Sequence, residues 1–263
     1  MTEAIELMIG LKLWSNNRNY YEEAKRLVVE GFCGYIELYA VPGTLDEFGP
    51  SWKSIDVPYV IHAPHLAHGM NLSRPECRTS NEYLAAEAFA FADLLNADHV
   101  IFHSGVEGSD DETIRQLNGW PEERRKQVLI ENEPYYSDKS PLICNGHSPA
   151  AIERMIKETG AGFCFDIGHG ICSSNGRGID PFDELVRYEL LCPAMYHLSD
   201  DDSHAVIDGH KRFGNGNYDF ARIFSLIDAT KPILIETEKE SAESLKDFEA
   251  EAAFLKHRLY KST

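Results

Sequence analysis

The chain has 263 residues, with 25 Lys and Arg against 43 Asp and Glu, a formal charge of −18. A surface this acidic repels duplex DNA and anionic membranes unless a basic patch is set aside for them. Its 43% hydrophobic and 11% aromatic content builds a real core and excludes disorder, and no apolar run approaches the ~20 residues of a membrane span.

Eight short β-rich runs follow one another, at 6–14, 34–39, 59–63, 99–103, 127–131, 162–167, 194–198 and 232–236. Between them the pattern predicts helices over 20–30, 80–96, 148–159, 181–190, 220–228 and 241–257. The stretch 42–56 holds Pro42, Gly43, Gly49 and Pro50, so the second helix is expected to be short or broken. The segment 107–126 reads as irregular around Asn118-Gly119-Trp120-Pro121. Strands alternating with helices pair in parallel through crossovers, and eight such units in about 250 residues make a closed (β/α)8 TIM barrel. An open doubly wound sheet would show an early Gly-rich phosphate turn, and none is present. The expectation is a single TIM-barrel domain over 1–263. Met1-Thr2-Glu3-Ala4 shows no basic start of a signal peptide. Six cysteines without a C-x-x-C pair read as reduced thiols in a cytoplasmic protein.

The strand ends carry the chemistry. Six apolar runs finish on His62, His103, Glu131, Asp166, His197 and Glu236. Strand residues two apart share a face, so the simplest arrangement points all six inward at the C-terminal rim, where barrel enzymes keep their active sites. A lone His or Glu after a strand is usually a loop residue; six together are different. Burying three carboxylates in one small volume is costly unless cations compensate, and mixed His, Asp and Glu donors suit Zn, Mn, Fe or Co. His169 follows Asp166 by three residues, and Asp208-Gly209-His210 lies ahead of Gly214 and Gly216. Nine donors exceed the need of one ion; at three or four per site they suit two or three clustered ions.

At these residues the chain resembles the endonuclease IV and xylose-isomerase-like TIM-barrel superfamily, over nearly its whole length. Asp166-Ile167-Gly168-His169 resembles that family's D-x-x-H signature, and the segment from Asp208 to Gly216 resembles its D-R-H-x-x-x-G-x-G signature, with Gly209 in place of the Arg. After its first His the family pattern continues into Tyr-Leu, whereas this chain reads His62-Ala63-Pro64-His65-Leu66. The resemblance implies nine metal ligands, His62, His103, Glu131, Asp166, His169, His197, Asp208, His210 and Glu236. It implies two or three Zn2+ ions: one on His62 and His103 with Glu131 bridging, a second on Asp166, His197 and Glu236, a third on His169, Asp208 and His210. Glu131 and Glu236 would be catalytic and position a water for in-line attack on a phosphodiester, as in abasic DNA.

The isomerase branch is the rival. Its sugar isomerases and epimerases hold one Mn2+, Mg2+ or Co2+ ion, and Glu131, Asp166, His197 and Glu236 match that set equally well. The substrate would then be a small sugar or sugar phosphate; a related dehydratase would use the same core. Ser137 stands where the epimerases carry a second Glu, and Glu133 is the candidate substitute. A mononuclear isomerase has no need of His62, His103 and Asp208-x-His210 at once, which favours the hydrolase. Lys211 and Arg212 beside the D-x-H are the best local cations for a substrate phosphate. Lys12 on the first strand is a candidate contact to a substrate oxygen, and Glu37 is an acid more typical of the isomerase branch. His65 and His68 read as loop histidines, and Trp52 and Trp120 as loop residues that could cover the mouth.

Overall fold

A computed structural model describes residues 7–137 and 141–259. Eight strands, β1 (Ile9–Trp14), β2 (Tyr35–Tyr39), β3 (Tyr59–His62), β4 (Val100–Phe102), β5 (Val128–Glu131), β6 (Gly162–Asp166), β7 (Met195–Leu198) and β8 (Ile233–Ile235), pair in parallel and in sequence order. β8 returns to β1, so the sheet closes into the expected (β/α)8 barrel. The helices are α1 (Tyr21–Val29), α2 (Leu45–Lys53), α3 (Arg78–Leu95), α4 (Asp110–Asn118), α5 (Glu122–Arg125), α6 (Pro149–Thr159), α7 (Ile167–Arg177), α8 (Pro181–Glu189), α9 (Phe220–Leu226) and α10 (Lys246–Leu259). None of the described helices is long and apolar enough to cross a membrane.

Apart from Trp14 at the end of β1, no strand residue is exposed, as a parallel barrel demands. Tyr35, Ile101, Leu129, Cys164, Met195 and Leu234 fill the interior below the rim. Gly10 makes room for this plug, because a Cβ there would stand 2.2 Å from the Tyr35 ring. A larger core joins the outer strand faces to the helices.

The second helix is short, as expected: α2 has nine residues with Pro50 inside it. Trp52 corrects one expectation. It is a core residue of α2, 1% exposed, and its Nε1 donates to the Ser15 carbonyl at 2.7 Å. Trp120 precedes β5 at the opposite end of the barrel and packs on Phe89 and Phe102. Neither covers the mouth. The segment 107–126 breaks at 119–121, where irregularity was expected, but α4 and α5 occupy most of the rest. Ser109 caps α4 by accepting from the Glu112 N–H at 3.2 Å.

The sequence reading extends the sixth strand to 167, but it stops at Asp166, because that carboxylate caps α7. Asp166 Oδ1 accepts from the His169 N–H at 2.6 Å. α7 is Gly- and Ser-rich, a composition that hides a helix from propensity alone. All six cysteines are free thiols.

Candidate metal centre

The strand ends converge. His62, Glu131 and Asp166 are the last residues of β3, β5 and β6; His197 is the third of β7; His103 and Glu236 each follow a strand directly. His169 comes from the first turn of α7, and Asp208 and His210 from the loop after β7. Ligand atoms fall into three main groups whose members lie within 4.8 Å of one another: His62, His103 and Glu131; Glu131, Asp166, His197 and Glu236; and His169, Asp208 and His210. Glu131 belongs to the first two.

Every imidazole is braced the same way. His62 Nδ1 donates to the Ala63 carbonyl at 2.8 Å, and His169 Nδ1 to the Asn132 carbonyl at 2.9 Å. His210 Nδ1 donates to the Glu236 carbonyl at 3.1 Å. His103 Nδ1 lies 2.8 Å from Glu133 Oε1, and His197 Nε2 lies 2.9 Å from Glu37 Oε2. One ring nitrogen of each is tied to an outer oxygen. The other turns to the carboxylates, at 3.3 Å from His62 and 3.2 Å from His103 to Glu131 Oε2, and at 2.7 Å from His210 to Asp208 Oδ2. An outer-shell oxygen that fixes the tautomer is the usual companion of a metal-ligating histidine.

The carboxylates tell the same story. Asp166 Oδ2 is buried with no hydrogen-bond partner. His197 Nδ1 and Glu236 Oε2 stand 2.6 Å apart, an ion pair without good hydrogen-bond geometry, and neither atom has another hydrogen-bond partner among the described residues. Both atoms also belong to the four-donor group with Glu131 and Asp166. Buried unpaired polar atoms of this kind are costly on their own, and a divalent cation resolves the cost. The donor chemistry and its geometry therefore fit a cluster of divalent ions.

The electrostatics agree. Burial pushes His103 down, but Glu133 and Glu131 outweigh it and lift it to about 10. Burial likewise opposes His210, which Asp208 lifts to about 9. Asp166 is raised to about 6, first by burial and then, against His169, by Asp208, Glu131 and Glu236. Burial works against ionised Glu131 and Glu236, yet both are held well below the usual carboxylate range, Glu131 by His197 and His103, Glu236 by Lys12 and His197. Carboxylate charge here exceeds what the fold neutralises without protonating imidazoles.

The loop carrying Asp208 is organised by Asp200. Its carboxylate accepts from the N–H groups of Gly214 at 2.8 Å, Gly216 at 3.1 Å and Tyr218 at 3.2 Å. Gly216 is required, since a Cβ there would meet Asp200 Oδ1 at 2.3 Å. A Cβ on Gly209 would meet Asp201 Oδ2 at 2.5 Å, so an Arg there would need the Asp201 side chain to shift. His210 holds a left-handed φ of 43°, a cost of about 1 kcal/mol or more that its tie to Glu236 offsets.

A cavity of ≈ 480 Å³ opens above the donors, lined by Lys12, His103, His169, Asp208, His210 and Glu236 among others. The β1–β2 register sets Lys12 beside Glu37. Lys12 Nζ lies 2.6 Å from Glu37 Oε1 and 3.1 Å from Glu236 Oε1. Of the expected substrate contacts, Lys12 lines the cavity, and Glu37, Lys211 and Arg212 are not among its lining residues. Glu37 is 0% exposed beneath the cavity and braces His197. Lys211 turns back to Asp201 at 2.6 Å, because residue 211 pairs with Asp200 in a local bridge, and Arg212 reaches Glu240 at 2.8 Å. Asn132 escaped the sequence reading. Its side chain donates to the Asp166 carbonyl at 2.8 Å and accepts from the Asp166 N–H at 2.9 Å. Its adjacency to Glu131 is the sequence signal.

A family model described as xylose isomerase-like TIM barrel matches residues 14–258. The chain is 24% identical over 221 residues to a probable endonuclease 4 of Mycobacterium leprae, covering 81% of this chain and 85% of that protein. A solved structure described as a D-tagatose 3-epimerase-like protein superposes with a TM-score of 0.72 at 17% identity, covering 96% of this chain and 97% of the other. Endonuclease IV from Thermus thermophilus superposes with a TM-score of 0.66 at 18% identity, over 95% and 99% of the two chains. Another protein of the same organism, soaked with ZnCl2, gives 0.68 at 22%, over 98% and 100%. The chain belongs to the xylose isomerase-like TIM-barrel family.

Proposed function

We propose that this family member is a metal-dependent phosphoester hydrolase of the endonuclease IV kind, working with two or three zinc ions. One observation carries the reading: three donor groups meet at one rim, two of them sharing Glu131. Clustered divalent ions there would supply concentrated positive charge against the oxygens of a bound phosphoester. Glu131, 1% exposed, keeps His62, His103 and His197 in one geometry. Glu236 is 18% exposed and lines the cavity, so it takes the proton of an attacking water. Lys12 has three N–H donors; Glu37 and Glu236 occupy two, and the third reaches a phosphoryl oxygen. The substrate is abasic DNA or a small phosphorylated sugar, and the free thiols suit a cytoplasmic setting.

A second reading has its own observation. Glu131, Asp166, His197 and Glu236 form a complete four-donor group, enough for one Mn2+, Mg2+ or Co2+ ion in a sugar isomerase or epimerase. Against it, Glu133 is engaged with His103 Nδ1 at 2.8 Å and does not stand ready as a second sugar base.

Elemental analysis of the purified protein separates them. Three zinc ions per chain, with hydrolysis of abasic-site DNA or sugar phosphates, are expected. A single Mn2+ or Mg2+ ion with turnover of ketoses would replace the hydrolase by the isomerase.

A further inference from the structure

His65 holds the position where the family pattern has its Tyr, and its ring is fixed on several sides. It stacks on His103 at 5.4 Å between centroids, and meets Tyr39 edge-on at 5.1 Å. Its Nδ1 accepts the Ala67 N–H at 3.3 Å. With Nδ1 accepting, Nε2 is the ring's donor. The backbone is held as well. The His65 N–H donates to the Tyr39 hydroxyl at 3.1 Å, and that hydroxyl shares a hydrogen bond with His68 Nδ1 at 2.8 Å.

His65 Nε2 has no hydrogen-bond partner among the described residues, and His65 lines the cavity. It belongs to none of the donor groups. Beside it Trp14, 41% exposed, lines the same cavity and stacks on Tyr39 at 4.9 Å. A fixed neutral N–H next to an exposed aromatic face suits an organic group with a ring and an oxygen acceptor; it gives nothing to a phosphate already held by cations.

We propose that His65 is a specificity-determining substrate contact, whose Nε2–H donates to a sugar-type oxygen on the organic part of a small phosphoester. The substrate class rests on the hydrolase reading above; the contact itself does not. It follows that the site takes a phosphorylated sugar by its hydroxyl-bearing half as well as by its phosphate.

The test uses zinc-loaded wild type, H65F, which keeps a ring against His103 and removes the donor, and H65Q, which restores an N–H donor. Ribose 5-phosphate and inorganic phosphate are titrated calorimetrically into each, and bound zinc is counted. Inorganic phosphate affinity and zinc content should hold within about twofold across the three proteins. Ribose 5-phosphate should bind wild type more tightly than inorganic phosphate, lose about tenfold in H65F and recover most of it in H65Q. Equal ribose 5-phosphate binding in all three, or no advantage over inorganic phosphate in wild type, overturns the contact. So does a parallel loss of inorganic phosphate binding or zinc in H65F, which would mark His65 as structural. Wild type that binds ribose 5-phosphate in this pattern but never hydrolyses a phosphoester keeps the contact and removes the hydrolase.

Discussion

Two sets of buried carboxylates in this barrel are treated in opposite ways. On the helices, Glu112 and Glu184 are 2% and 1% exposed, and each is gripped by two guanidiniums. Arg78 holds Glu112 through Nε at 2.6 Å and a second nitrogen at 2.7 Å, with Arg115 and Gln116 completing the set. Arg177 and Arg187 do the same for Glu184. At the rim, Asp166, Asp208 and Glu236 have no arginine within ion-pair distance among the described residues. They face imidazoles, one lysine and each other, and neither Asp166 Oδ2 nor Glu236 Oε2 has a hydrogen-bond partner among the described residues. At Glu112 and Glu184 the fold supplies the cations itself. At the rim the acids stand beside braced imidazoles, an arrangement suited to taking a cation from outside.

That contrast breaks first at Glu131, the carboxylate shared by two donor groups. Glu131→Ala should remove at least one ion per chain by elemental analysis and cut kcat/KM by about 10²–10³-fold or more. A chelator should do the same to the wild type, and zinc should restore it. Unchanged ion content in the variant would show that the rim carboxylates need no outside cation. His103→Ala should lose one ion and leave the others in place.

The bracing acids come next. Glu37→Gln and Glu133→Gln leave every inner donor in place but weaken the ties on His197 and His103. Zinc affinity should fall about 10–100-fold in each, read by competition with a chromophoric chelator. An unchanged affinity would make these two acids ordinary buried charges, like Glu112.

The barrel was legible in the sequence because each strand is a short apolar run bounded by turn signals, and eight of them leave few topologies. The meeting of the nine donors at one rim was legible for the same reason, since each sits at a strand end or a fixed step beyond one. What lay out of reach is instructive. α7 was hidden by its glycines and serines, and only the cap made by Asp166 reveals it. Lys211 and Arg212 looked like phosphate cations because they neighbour His210, but the bridge between Asp200 and Lys211 folds that segment away from the cavity. Glu37 looked like a substrate acid because it ends an apolar run, yet it points beneath the rim. Sequence adjacency locates a residue near a site; it does not say which way the side chain turns.

The opposite arm of the comparison is a matter of stability. Arg78 holds Glu112 down to about 2, from an ordinary 4.5. A depressed folded pKa stabilises the fold above about 4.5, and that stability is lost as pH falls toward 2. Glu112→Gln should therefore cost about 1–2 kcal/mol at pH 7, a figure reduced because the guanidiniums face solvent. The deficit should shrink as pH drops toward 2 in urea melts, with zinc content unchanged. A deficit independent of pH would mean that packing, not charge, is what Glu112 contributes.

The smallest effect is the most discriminating for the substrate's route into the site. Lys211 is 44% exposed and pairs with Asp201, and such surface pairs contribute little. If it served as a phosphate cation, Lys211→Ala would raise KM for a phosphoester several-fold. The geometry gives that role to Lys12, which lines the cavity while Lys211 does not. Lys211→Ala should therefore leave zinc content intact and kcat/KM within about twofold of wild type, whereas Lys12→Met should raise KM for ribose 5-phosphate about tenfold or more. A reversed ranking would move the phosphate-binding cation out of the barrel and onto the loop after β7.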